Sequence, residues 1–230
     1  MPDTPSGSRD TTFRDRSIRM LTAVVFDIGE TLIDDSREWR AWADWVGVPA
    51  HTISALVGAV TAMGHDNATV FEYIRPGFDL PHERQLREDA GLGERIEETD
   101  LYPDVRSGLA RLRDRGIWIG VAGNQTARAA TLLRELDLPV DAIATSGEWG
   151  VAKPAREFFD RVLAMVPGTA EQTLYVGDHH DNDILAGTAA GLRTALIRRG
   201  PWGYLGAEDD QVRATADWVI DSLDELADLV

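Results

Sequence analysis

The chain has 230 residues, 43% hydrophobic and 27% charged, enough for one good-sized domain or a core with a small insert. Its formal net charge of −16 repels polyanions, so neither nucleic acid nor an anionic membrane is expected as a partner. There is no cysteine, which excludes disulfides, thiol nucleophiles and thiolate metal sites and fits a cytoplasmic setting.

Residues 1–19 are polar, carry Pro and Gly, and lack the apolar stretch of a secretory signal, so they are expected to be a disordered tail. No apolar run approaches the ~18 residues of a membrane span. From residue 20 the pattern alternates. Short apolar runs at 22–27, 117–122, 141–145, 173–177 and 193–198 suit central strands of a parallel sheet, buried on both faces. Amphipathic segments at 104–116, 126–137, 155–166, 182–191 and 222–230 read as helices between them. This alternation predicts a doubly wound, Rossmann-like α/β core over 20–33 and 101–230. It is interrupted once. Residues 34–100 contain only helix-like segments and read as an inserted all-helical cap domain. Trp39, Trp42 and Val46 form a helical stripe there, which serves either the cap's own core or a pocket wall.

In such folds ligands gather at the carboxyl ends of the strands. Asp27 ends the first strand, and a carboxylate there can bind Mg²⁺ and attack phosphorus, or simply form a turn. Gly123–Asn124 opens a helix whose N–H groups can hold phosphate oxygens. Lys153, just before Pro154, is expected at the mouth of the site, where an ammonium can neutralise phosphoryl oxygens. Asp178 can ligate a metal at the fourth strand's end, and Asp183 can orient a neighbouring cation or lie idle at a helix start. His179 and His180 have no thiols or second His pair to complete a transition-metal site and read as loop residues.

Together, FDIGETL (26–32), WIGVAGNQTARAA (118–130), SGEWGVAKPAREFF (146–159) and YVGDHHDNDILAG (175–187), in this order and with a helical insert after the first, resemble the haloacid dehalogenase-like (HAD) hydrolase superfamily from about residue 20 onward. The resemblance implies a Mg²⁺-dependent phosphatase acting on a small phosphorylated metabolite through an aspartyl-phosphate. Asp27 would be the nucleophile and Lys153 its electrostatic partner. Asp27, the Gly29 backbone carbonyl and Asp178 would hold Mg²⁺, Asp183 would support them, and Thr31, Gly123, Asn124 and Lys153 would contact the phosphoryl group. Such an enzyme would work as a monomer or homodimer.

Two positions depart from the family pattern. Gly29 stands where the phosphatases carry a second Asp that protonates the leaving group, and Gly123 where they carry Ser or Thr. Glu30, next to Gly29, is expected to point elsewhere. A positioned acid–base contributes ~10²–10⁴-fold, so a slow enzyme follows more readily than an inert one. Metal binding is spared, because glycine retains its carbonyl. The alternatives are an inactive HAD-fold protein that binds a phosphorylated ligand or partner, and a metal-independent dehalogenase, against which Asp178 argues. A phosphonate-cleaving enzyme would need a Lys in the cap, and residues 34–100 have none.

Overall fold

A computed structural model describes residues 21–230; the tail expected over 1–19 lies outside the described residues. Six parallel strands form one sheet: β1 (Ala23–Phe26), β2 (Trp118–Gly123), β3 (Ala142–Thr145), β4 (Thr173–Gly177), β5 (Arg193–Ile197) and β6 (Trp218–Ile220), in the order β3-β2-β1-β4-β5-β6. Four helices follow β1: α1 (Ser36–Val46), α2 (Ala50–Ala62), α3 (Val70–Ile74) and α4 (Leu80–Asp89). The rest interleave with the sheet: α5 (Val105–Asp114), α6 (Ala127–Glu135), α7 (Ser146–Trp149), α8 (Arg156–Met165), α9 (Ala186–Ala189), α10 (Gly200–Gly206), α11 (Asp210–Thr215) and α12 (Leu223–Leu229). A π-type turn over His180–Leu185 runs directly into α9. Among the described residues no single helix is long and apolar enough to cross a membrane.

The sheet is doubly wound because both faces of each central strand are apolar. Val24 and Phe26 pack with Val121 and Val176 under Leu109 and Leu112 of α5 and Leu223 and Leu226 of α12. Ala23, Val25 and Tyr175 face the other way, onto Phe158, Phe159 and Val162 of α8. Each of these strand residues is buried, so a one-residue slip in register would exchange the two faces and lose both cores. The register sets Phe26 beside both Val121 and Val176. The chain therefore leaves β1, β2 and β4 at one level, and the residues that follow share one edge of the sheet.

The five strands expected from the sequence are present, and β6 is an addition. Its WVI core is too short to stand out as a periodic run. Helices α7, α10 and α11 also lacked a sequence signal, being only four to seven residues long.

The helical insert has its own core. Trp42 meets Phe71 edge-on at 4.8 Å between ring centroids, Phe71 stacks on Phe78 at 4.6 Å, and Ile53, Val57 and Val70 complete the cluster. It joins the sheet domain through two chain crossings laid side by side. Ile33 bridges Leu101, Asp34 N–H donates to the Asp100 carbonyl at 2.7 Å, and Tyr102 N–H donates to the Leu32 carbonyl at 3.0 Å. On the far side the Trp202 indole of α10 donates to Asn67 at 3.0 Å.

Arg199 locks the first crossing to the core. Its guanidinium donates to the Thr31 carbonyl and to Asp104, lies over the Tyr102 ring at 4.2 Å, and is 6% exposed. Removing the buried guanidinium leaves the part-buried Asp104 carboxylate with only the Leu223 N–H. Arg199→Ala is expected to lower stability by about 3 kcal/mol in equilibrium urea unfolding; a change near zero would show that the Asp104 carboxylate is hydrated in place.

Candidate active site

The strand ends deliver Asp27 and Asp178 to the floor of a cavity of about 450 Å³ between the sheet and the helical insert. Asp27 and Asp178 are 8% and 5% exposed, and Asp183 is fully buried. One carboxylate oxygen from each of the three lies within 4.8 Å of the other two. Lys153 Nζ sits 2.6 Å from Asp27 Oδ1 and 2.6 Å from Asp183 Oδ1. Lys153 is 6% exposed, so it belongs to the floor and not to the mouth where the sequence suggested it. It leads a cis bond to Pro154.

Neighbours hold this lysine in place from both directions. The Asn124 side chain accepts from Lys153 N–H at 2.8 Å and donates to the Lys153 carbonyl at 3.0 Å. One amide N–H and the amide oxygen are thus committed to the lysine backbone, while Asn124 still lines the cavity where the sequence placed a phosphate contact. Asp183 accepts from the Lys153 ammonium on Oδ1 and from His179 N–H on Oδ2 at 2.9 Å, so it acts as the brace of the ammonium. A Cβ at Gly177 would collide with the Asp183 carboxylate, which explains the glycine at the end of β4.

Gly123 follows the same logic. A Cβ there would run into Asp27 Oδ1 and Ile28, so the space a Ser or Thr would need is occupied by the carboxylate itself. Thr31 is fully buried, does not line the cavity, and its hydroxyl has no partner among the described residues. Glu30 has φ of 51° and accepts from the Tyr102 hydroxyl, at the back of the loop. His179 accepts from the N–H groups of Asp181 and Asn182 and stacks on Trp202 at 3.9 Å, both structural contacts. Burial, then Lys153, pushes its pKa down to about 4.

The electrostatics of the floor follow from burial. Loss of water pushes the Asp27 pKa up to about 6, with Lys153 opposing and Asp183 adding to the rise. Asp178 is raised well above the carboxylate range by burial, then by Asp183, Asp27 and Glu30. Burial alone would lower Lys153, but Asp183 and Asp27 outweigh it and its pKa goes up. Three buried carboxylates facing one ammonium leave an excess of negative charge. Asp178 has no ion pair among the described residues. This donor set, all oxygen and short of positive charge, fits a hard divalent cation such as Mg²⁺.

Two residues beside Gly29 escaped the sequence reading. Gln125 follows the Asn124 clamp, and its Nε2 lies 3.4 Å from where a Cβ on Gly29 would stand. Asp35 Oδ2 lies 2.8 Å from the same point. Burial, then Glu30, Asp27, Glu38 and Asp34, raises the Asp35 pKa well above the ordinary value. The wall above is mixed, with Trp39, Trp42 and Phe71 beside Arg37, Arg84 and Arg87, so the tryptophan stripe serves both the insert's core and the cavity.

A family model described as haloacid dehalogenase-like hydrolase matches residues 21–191. A ribulose-1,5-bisphosphate 5-phosphatase of Halopiger xanaduensis is 33% identical, over 92% of this chain and all of that protein. A glyceraldehyde 3-phosphate phosphatase of Methanocaldococcus jannaschii is 36% identical over 56% of each chain. Among solved structures, the HAD hydrolase YfnB of Bacillus subtilis, bound to magnesium, superposes with a TM-score of 0.67, covering 92% of this chain and 99% of that one. At 20% identity that last likeness concerns the fold alone.

The Asp27 shift sets a pH dependence of stability. With a folded pKa of about 6 against 3.8 for the free group, the folded state binds more protons between those values, so this contribution is lost as pH rises through about 6. A divalent cation cancels the penalty only where the carboxylates are ionised. Thermal unfolding is expected to show a larger rise in Tm on adding Mg²⁺ at about pH 7.5 than at about pH 5. Equal rises at both pH values would detach metal binding from these carboxylates.

Proposed function

This chain belongs to the haloacid dehalogenase-like hydrolase family, and we propose that it is a Mg²⁺-dependent phosphatase that cleaves a small phosphorylated metabolite through an aspartyl-phosphate on Asp27. The observation that carries the reading is the floor of the cavity. A carboxylate at the end of the first strand is held by a buried lysine, beside a second carboxylate, Asp178, that has no ion pair among the described residues. The names of two relatives, phosphatases of a sugar bisphosphate and a triose phosphate, support the substrate class. So does a cavity of about 450 Å³, the size of a small-molecule site.

In this reading Asp27 is the nucleophile, and its Oδ2, the oxygen not paired with Lys153, attacks phosphorus. Lys153 draws charge from the phosphoryl oxygens and keeps Asp27 oriented, while Asp183 and Asn124 keep Lys153 in place. Asp27, Asp178 and the Gly29 carbonyl would hold Mg²⁺. When bound, the ion supplies neutralisation of phosphoryl charge. Residues 34–100 act as the cap: they exclude water from the floor, and Arg84, a cavity arginine with no ion pair among the described residues, attracts an anionic substrate that the overall charge of −16 would otherwise repel.

Hydrolysis of p-nitrophenyl phosphate tests the proposal. Turnover is expected to require Mg²⁺ and to fall by at least about 10³-fold in Asp27→Asn and about 10²-fold or more in Lys153→Met. Turnover that survives EDTA, or that Asp27→Asn retains, would sink it. Mg²⁺ binding with no turnover of any ester would leave the ligand-binding alternative.

A further inference from the structure

The geometry points to Asp35 as the general acid and base that position 29 lacks. This rests on the phosphatase reading and assigns a residue within it. The warrant is spatial. The Gly29 side chain is missing, and the carboxyl of Asp35, six residues later, lies 2.8 Å from where that side chain would begin. It lines the cavity together with Asp27 and is half-buried.

Asp35 stands at the first residue before α1, where an aspartate ordinarily caps the helix by accepting from its N–H groups. It makes no such bond. Asp34 accepts from Ser36 N–H at 2.8 Å instead, which frees the next carboxyl. The surrounding acids are all engaged: Asp27 with Lys153, Glu30 with Tyr102, and Glu38 with Arg87 at 2.7 Å. Among the described residues no donor reaches the Asp35 carboxyl. Glycine at 29 and aspartate at 35 are therefore one arrangement, because a Cβ on residue 29 would press against Asp35 Oδ2.

Asp27 forms a bond to phosphorus as the bond to the leaving oxygen breaks, and that oxygen takes the proton of the Asp35 carboxylic acid and departs as an alcohol. Asp35, now a carboxylate, takes a proton from a water whose oxygen attacks the phosphorus of the aspartyl-phosphate. The bond to Asp27 breaks, inorganic phosphate leaves, and both side chains return to their starting forms.

The test is kcat/KM for p-nitrophenyl phosphate, phenyl phosphate and glycerol 2-phosphate, a series of worsening leaving groups, in wild type, Asp35→Asn and the exchange Gly29→Asp with Asp35→Gly. Asp35→Asn is expected to lose less than about 10-fold on p-nitrophenyl phosphate and about 10²-fold or more on the other two. It should also accumulate a phosphoprotein on acid quenching, because the second step has lost its base. The exchange variant, which returns a carboxyl to the same space from the other side, is expected to recover the poor leaving groups. An equal loss on all three esters, no loss, or no recovery by exchange would overturn the assignment. If wild type itself shows no turnover dependent on Mg²⁺ and Asp27, the phosphatase reading has failed and the assignment with it; failure of the series in an active wild type removes Asp35 alone.

Discussion

The ammonium of Lys153, held 2.6 Å from both Asp27 and Asp183, is the contact on which the site depends. Burying a carboxylate without a partner is costly, and this floor buries three. One lysine cannot neutralise them all, so the pocket is built with a standing demand for positive charge. Much of the local sequence serves that lysine: Asn124 clamps its backbone, Asp183 braces its head group, and Gly177 leaves room for Asp183 to approach. Asp178 has no ion pair among the described residues, so that demand is greatest beside it.

A second constraint acts on the loop after β1. Its turns close on the Ile28 carbonyl, which accepts from Leu32 and Ile33, while Arg199 holds the Thr31 carbonyl from behind. Glu30 is turned toward Tyr102 on that same rear side. The loop therefore presents backbone and not side chain to the cavity at Gly29, and the chain returns to the cavity wall over Ile33, Asp34 and Asp35. The crossing beside Leu101 fixes where α1 begins, and with it the height of Asp35 above the floor.

The doubly wound core, the nucleophile candidate and the lysine were legible because each sits within a residue or two of an apolar run or helix start. Hydrophobicity over four to six residues is a local signal, and Asp27 and Asp178 are the first polar residues after such runs. The short elements β6, α10 and α11 gave no comparable period. The grip of Asn124 on the Lys153 backbone was not legible, because that partner lies 29 residues away. Thr31 looked available beside Asp27, yet the tight turn carries it into the interior. Asp35 drew no signal from the sequence, because its freedom depends on Asp34 accepting from Ser36 N–H in its place.

By itself, then, the sequence determined that a parallel sheet would form and that carboxylates and a lysine would lie at its strand ends, since burial on both faces is written in consecutive residues. Which of those polar groups are spent on holding the site and which remain free was decided only by the tertiary structure. Hydrogen-bond partners and excluded volume come from segments far apart in the chain, and the space above Gly29 is filled by a side chain whose direction is set by the packing of the insert on the core.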